Sequence, residues 1–362
     1  MRPTTEAVVL TGIGPVSSDA LSVQALVAAT RNPWPTSDRA RSLDGFVPEH
    51  FLGKRGLRFL TPPTQYILAA TQLALEDAHL HGESEYAPED IGVVVGTNFA
   101  IHPVVENLHR TVLTSGAEAI QPMDAPNFSV NIPASHVAIR HKLRAFNVTL
   151  TSLLVAGLEA VALGTDAIER GRARAVVAGA TEPAPPEPVV PCLGGVGGAG
   201  GACALILESL STARARGASI YARVAGYGLL FVPAAGGPRT FDHSPVARLL
   251  RRRLDSMLPS DRPVVYLGLT EFASARSRLV GDWVVKYFDE RGMRVEPCPI
   301  QQTAAAEACV SPLLQAGALA AVHGEGLVLA VSPHGHLAML ALQPCSREET
   351  HSWSHSRDGV GP

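Results

Sequence analysis

The sequence predicts an α/β fold, because short, fully apolar runs of strand length alternate along the chain with longer segments of helical periodicity. Three observations carry that reading. Ile91-Gly-Val-Val-Val-Gly96 and Arg174-Ala-Val-Val-Ala-Gly179 are almost wholly apolar, as strands are in a sheet covered on both faces. Ile67, Leu68, Ala70, Leu73 and Ala74 recur instead at the spacing of one helix face. Finally, the 362 residues are 46% hydrophobic and 17% charged. The charged share is below the roughly 25% of ordinary soluble domains, so the chain has the apolar material for a large core.

Taken in order, the first strand is Ala7 to Thr11, ending in the turn Gly12-Ile-Gly-Pro15. A helix over Asp19 to Thr30 follows, then the Pro-rich stretch Asn32 to Thr36, then the amphipathic helix Thr64 to His79. Ile91 to Gly96 and Phe146 to Thr151 are strands. The second leads directly into a helix over Leu154 to Arg170, and Arg174 to Gly179 closes a strand-helix-strand unit. The rhythm then repeats, with strands at Cys203 to Glu208, Tyr221 to Leu230, Pro263 to Gly268 and Gly326 to Ser332. Helices are expected near 244–257, 273–288 and 304–323. No repeat is visible by letter, yet the order of elements suggests two similar α/β layers packed together.

Composition excludes several functions. A net charge of −3 leaves no electrostatic footprint for nucleic acid or an anionic membrane. The five cysteines, Cys192, Cys203, Cys298, Cys309 and Cys345, lie far apart without CxxC or His-paired spacing, so they are expected as reduced thiols and not as metal ligands. The apolar run Ala7 to Leu10 is too short for a signal peptide, and Leu313 to Val331 is broken by Gln315, His323 and Glu325. The expectation is a soluble, cytoplasmic protein. Gly195-Val-Gly-Gly-Ala-Gly200 has the letters of a dinucleotide fingerprint, but a strand follows it where a helix should begin. It is read as a turn segment, and no cofactor is expected. Asn147-Val-Thr149 has the letters of a glycosylation sequon but lies in a strand, and is read as incidental. Arg248 and Arg251 to Arg253 are read as a solvated helix face, with a dock for an acidic carrier protein as the alternative.

Several segments, in order, resemble the β-ketoacyl synthases of the thiolase-like superfamily. Val8-Val-Leu-Thr-Gly-Ile-Gly-Pro-Val-Ser17 is similar to that family's first strand and turn. Arg58-Phe59, Tyr66 to Ala70 and Ala74-Leu-Glu-Asp-Ala78 are similar to its first long helix. Ile91 to Thr97, Asn147 to Gly157 and Ala173 to Glu182 follow its nucleophile half. Leu205-Ile-Leu-Glu-Ser, Ala213-Arg-Ala-Arg-Gly-Ala and Ile220-Tyr-Ala-Arg-Val-Ala-Gly-Tyr-Gly228 track it most closely. The resemblance is good over residues 7–228 and weak beyond. It implies a thiolase-like duplicated fold in five layers, αβαβα. The expected divisions are an N-terminal half over 1–182, a short Pro/Gly-rich bridge over 183–201, a C-terminal half over 202–345 and a polar tail over 346–362.

The family's chemistry does not carry over. Its nucleophilic Cys sits at a strand-to-helix elbow, where a helix N-terminus stabilises the thiolate. In Thr151-Ser-Leu-Leu-Val-Ala-Gly157 the resemblance puts Leu154 there. Ser152 and Cys309, with Glu307 two residues before it, are the weak alternatives for a nucleophile. The family also uses one histidine in an HGTGT turn and another in a GHxxGAAG segment after a lysine. The corresponding stretches, Val265 to Glu271 and Ala306 to Gly317, contain no histidine or lysine. The family's C-terminal turn survives only as Ser332-Pro-His-Gly-His336, and His334 and His336 are read as exposed turn residues.

Chains of this family without the nucleophile are chain-length factors, which pair with an active ketosynthase in type II polyketide synthases. The resemblance therefore implies a non-catalytic subunit of a heterodimer, with an acyl carrier protein as a further partner. Those subunits usually carry Gln where this chain carries Leu, and Leu offers packing alone. Phe146, Asn147, Val148, Thr149, Leu150 and Thr151 would form the edge strand that pairs with the partner. Phe99, His102, Val105 and His109 would line the far end of an acyl tunnel, with 102, 105 and 109 on one helix face. The other expectations are a diverged thiolase-fold acyltransferase or hydrolase using Cys309, Ser152 or a turn histidine, and a homodimer that binds an acyl or carrier-protein ligand without chemistry.

Overall fold

The two halves of the chain build the same five-stranded pattern in mirror order. The computed structural model describes residues 6–31, 43, 45–80, 86–188, 190, 198–233, 237–259, 262–270, 274–300 and 308–345. The first half supplies β1 (Val8–Val16), β2 (Ile91–Gly96), β3 (Asn147–Leu150), β4 (Ala175–Glu182) and β5 (Gly201–Ser209), in the spatial order β3-β2-β4-β5-β1. The second supplies β6 (Ala222–Phe231), β7 (Val264–Thr270), β8 (Arg294–Pro297), β9 (Gly326–Val331) and β10 (His336–Gln343), in the order β6-β10-β9-β7-β8. β2 runs parallel to β3 and β4, and β5 antiparallel to β4 and β1. In the same way β7 is parallel to β8 and β9, and β10 antiparallel to β9 and β6. Among the described residues two residue pairs join the halves: Val9 opposite Arg223 and Leu10 opposite Ala222.

The helices are α1 (Val23–Arg31), α2 (Pro48–Leu52), α3 (Pro62–Asp77), α4 (His102–Ser115), α5 (Ile132–His141), α6 (Ala156–Glu169), α7 (Leu210–Ala215), α8 (Pro238–Asp242), α9 (Pro245–Met257), α10 (Ala275–Asp289) and α11 (Ser311–His323). α3 and α5 cover the outer face of the first half of the sheet, and α9 and α10 that of the second. α6 and α11 lie between the halves, with Leu158 and Val161 of α6 and Leu313 and Leu319 of α11 in one core with Leu205 and Val328. The five layers αβαβα follow. α11 is apolar on nearly every side because it meets sheet on both faces, the pattern of a helix with no solvent face. Serines cap the outer helices: Ser244 accepts from Ala247 N at 3.0 Å and Ser274 from Ser277 N at 3.0 Å.

Three expectations change. The division expected at the bridge over 183–201 falls later, because β5 (Gly201–Ser209) lies between β4 and β1 and completes the first half's sheet. The turn expected at Gly12 to Pro15 is instead the continuation of β1, which bulges between Leu10 and Gly12 and runs on to Val16. The glycines are there for α3, since a Cβ at Gly12 would lie 2.3 Å from Ala74 O and one at Gly14 1.9 Å from Ala70 O. The first helix begins at Val23 and not Asp19, after a tight turn in which Ser17 and Ala20 bond backbone to backbone. The Pro-rich stretch 32–36, Cys192, Gly195 to Gly197, Glu271, 304–307 and the tail from 346 lie outside the described residues. The final glycines of the GxGxxG run lead into β5, and no helix opens there.

The two sheet edges differ. β8 is four residues long, pairs Arg294 with Glu296 along itself and ends in Pro297, features that discourage further strand pairing. β3 is also short, but Val148 and Leu150 are only half-buried and its outer side is open.

Candidate functional site

The chain leaves β3 at Leu150 and turns through Thr151 and Ser152 into a single 3-10 turn, Leu153–Val155, before α6 begins. This is the strand-to-helix elbow. Leu153 sits at φ 52°, a left-handed conformation that costs a non-glycine residue about 1–2 kcal/mol. Leu154, the next residue, is 2% exposed and points into the core. Across from it, a second 3-10 turn, Ala308–Val310, leads into α11, and Ala308 is also left-handed, at φ 44°. The two strained turns are in contact.

Between them lies the Glu182 carboxylate, at the last position of β4 and 1% exposed. Its Oε1 accepts from Asn98 N at 2.8 Å, Asn98 Nδ2 at 2.7 Å and Cys309 Sγ at 3.1 Å. Its Oε2 accepts from Phe99 N at 2.9 Å and Thr97 Oγ1 at 3.4 Å. Asn98 Nδ2 also donates to Leu153 O at 2.9 Å, so one amide ties the carboxylate to the elbow. Burial pushes the Glu182 carboxyl above its ordinary range, and the donors of Phe99, Cys309 and Asn98 pull it back. The Cys309 thiol is fully buried, and burial with the adjacent Glu182 pushes it well above its ordinary value. A thiol held neutral in this way is a poor nucleophile at neutral pH.

On the second half, Thr270 at the end of β7 donates through Oγ1 to Gln315 Oε1 at 3.0 Å. Gln315 Nε2 donates to Ile300 O at 3.4 Å and Leu269 O at 3.5 Å. A Cβ at Gly268 would lie 3.1 Å from Gln315 Oε1, so this amide fills the space beside β7. Among the described residues no cluster of His, Cys, Asp or Glu is arranged to hold a metal ion.

Leu154 and Ser152 lie at the elbow, and Cys309 lies on the 3-10 turn in contact with it. Ser152 is half-buried, and among the described residues its hydroxyl makes no hydrogen bond that would activate it. Cys309 lies before α11, not inside it. Phe99, just before α4, and His102 and Val105 in its first turns are half-buried, whereas His109 is exposed, and α4 has no buried residue. Its main contacts are with the segments Ala117–Ala119 and Pro122–Phe128 that follow it, so its outward side is open along with β3. Asn147 holds β3 to α5 by donating from Nδ2 to Ala134 O at 3.0 Å. His334 and His336 are exposed as expected, and His336 packs edge-on against Phe231 at 5.6 Å. The sequence reading did not single out Glu182, Asn98 or Gln315. The available signal was a carboxylate closing an otherwise uncharged strand.

Comparison with known proteins agrees with this architecture. The sequence model of the family described as "Beta-ketoacyl synthase, N-terminal domain" matches residues 9–192. The chain is 28% identical over 209 residues to the 3-oxoacyl-[acyl-carrier-protein] synthase 2 of Vibrio cholerae, covering 51% of this chain and 50% of that protein. It is 30% identical over 210 residues to the enzyme of the same name from Rhizobium meliloti, covering 51% and 50%. The chain thus spans about half the length of the curated relatives it matches. Among solved structures it resembles the ishigamide ketosynthase/chain length factor, with a TM-score of 0.77, 22% identity, and 95% of this chain and 100% of that one covered. It also resembles the AntDE:AntF complex of a type II PKS acyl-carrier protein with its ketosynthase, with a TM-score of 0.74, 20% identity and coverage of 94% and 100%. Duplicated sheet topology, five-layer packing and a family match over more than half of the sequence converge: the chain belongs to the β-ketoacyl synthase family.

Proposed function

We propose that the chain is a non-catalytic, chain-length-factor-like subunit that pairs with an active β-ketoacyl synthase and shapes the acyl tunnel in type II polyketide, polyene or fatty-acyl biosynthesis. The observation that carries this reading is the buried Leu154 at the elbow. It stands where the family's nucleophile is expected, and a leucine cannot accept an acyl group. The second half supports it, because Gln315 is hydrogen-bonded within the chain and fills the space beside Gly268. The stretches expected to carry the family's two histidines contain none.

The open edge of β3 and the unburied α4 meet the needs of a partner. Pairing at Phe146 to Thr151 would extend the sheet into a second subunit. It would also cover the face of α4 that bears Val105 and turn it into an inner wall. The solved structures of like fold include a ketosynthase/chain length factor and a ketosynthase with its acyl-carrier protein, which supports a catalytic ketosynthase and an acyl carrier protein as the partners.

Co-expression with a ketosynthase that carries the Cys-His-His set tests the reading. A heterodimer should form, and product length should depend on this subunit. If the chain remains monomeric or homodimeric while that ketosynthase elongates alone to an unchanged length, the reading is wrong. Native mass mapping after incubation with an acyl thioester should find no adduct on Ser152 or Cys309.

A further inference from the structure

We infer that Glu182 is a positioning residue: from the centre of the vacated elbow it fixes where α4 begins, and through α4 it sets how far an acyl chain extends. The inference rests on the chain-length reading above and deepens it. Glu182 is the last residue of a fully buried strand, where its backbone pairs with Gly201 of β5, two residues beyond the last β4–β2 pair, Ala180 with Gly96. From that fixed point the carboxylate reaches the segment between β2 and α4. It takes the backbone N–H groups of Asn98 and Phe99 on different oxygens, at 2.8 and 2.9 Å.

Two backbone donors on two oxygens fix direction as well as distance. Phe99 O then accepts from His102 N at 2.9 Å, the first residue of α4, so the clamp passes straight into the helix that carries His102 and Val105. α4 has no buried side chain and little other hold on the sheet. Its placement therefore depends on this junction more than that of α3 or α6 depends on any one residue. The Asn98 side chain adds a second tie, bridging Glu182 and Leu153 O, so that elbow and helix move together.

Glu182→Gln tests the idea directly. The amide keeps one acceptor, but its NH2 group meets either the Phe99 N–H or the Asn98 N–H, so one backbone donor loses its partner. In the heterodimer, the ratio of shorter to longer products should change by about fivefold or more, with total turnover changed less than the ratio. Asn98→Ala, which removes the bridge and leaves the backbone donors, should shift the ratio in the same direction by a smaller factor. It also carries the test should the glutamine variant fail to assemble.

Asp77→Asn is the control. Asp77 is a half-buried carboxylate elsewhere that accepts from Ile13 N and Tyr221 Oη, so its loss should lower stability without moving product length. Val105→Trp separates the two levels of the inference. If it shortens the product while Asn98→Ala and any assembled Glu182→Gln leave length unchanged, Glu182 has no positioning role. If Val105→Trp also leaves length unchanged, Val105 is not on the tunnel wall and the inference about α4 falls with it, while the co-expression test above still decides the chain-length reading.

Discussion

Gly157 faces the carbonyl oxygen of Cys309 so closely that a Cβ on it would stand 2.2 Å from that oxygen. Gly157 opens α6 and Cys309 precedes α11, so this contact sets how near the two middle-layer helices approach. Backbone on both sides leaves no side chain to move aside. Gly157→Ala should therefore destabilise the fold by about 1–3 kcal/mol through overpacking, read as a lower urea midpoint with an unchanged m-value. An unchanged midpoint would mean that α6 and α11 have slack at their closest point.

Restoring a cysteine at the elbow should not restore condensation. Leu154→Cys places a thiol at the elbow, but in a position 2% exposed, and the stretches expected to carry the family's two histidines contain none. A thiol without an ionising environment or a group to activate the donor forms at best a slow acyl adduct. The purified variant alone, given acyl and malonyl thioesters, should make no elongated product above the wild-type background. Elongation by the variant would show that the second half retains donor chemistry.

Much of the fold was legible because strands covered on both faces must be apolar throughout. Ile91–Gly96 therefore reads as a strand with the bounds that the structure gives it. The misread turn at Gly12 to Pro15 has the opposite cause: glycine and proline letters signal turns, but here the glycines clear a path for α3 across β1. The duplication was legible in the order of elements and not in the letters, since strand order and direction are kept by geometry and need no shared residues. At the site, the apolar residue at the elbow was legible from Leu154, because one letter decides it. The Glu182 junction was not, because its donors come from residues 84 and 127 positions away, a distance that no local pattern spans.

The open edge should behave as an interface. Leu113 near the end of α4 is 85% exposed and Ile139 on α5 is 74% exposed, both unusual for large apolar side chains. In the isolated chain, Leu113→Asp and Ile139→Asp should each change stability by less than about 0.5 kcal/mol, since neither side chain is buried there. In co-expression with a partner ketosynthase the same changes should lower the yield of heterodimer, measured by co-purification through a tag on one subunit. Full recovery of the heterodimer with both charges present would place the interface elsewhere.

His141 should give the acid limb of stability a traceable component. It is the last residue of α5, its Nε2 is buried without a hydrogen-bond partner among the described residues, and burial together with the adjacent Arg140 lowers its pKa to about 4. In the unfolded chain the imidazole titrates near its ordinary value of about 6.5. The folded value is the lower one, so the stabilisation is present above about pH 6.5 and is lost as the pH falls toward 4, where protonation favours the unfolded chain. The shift sets an upper bound of about 3 kcal/mol for this loss. His136 on the same helix is also held low by burial, so some slope should remain when His141 is removed. His141→Leu should flatten the fall in urea midpoint between about pH 7 and pH 4.5 relative to wild type. Equal slopes for the two proteins would mean that the folded imidazole protonates as easily as the unfolded one.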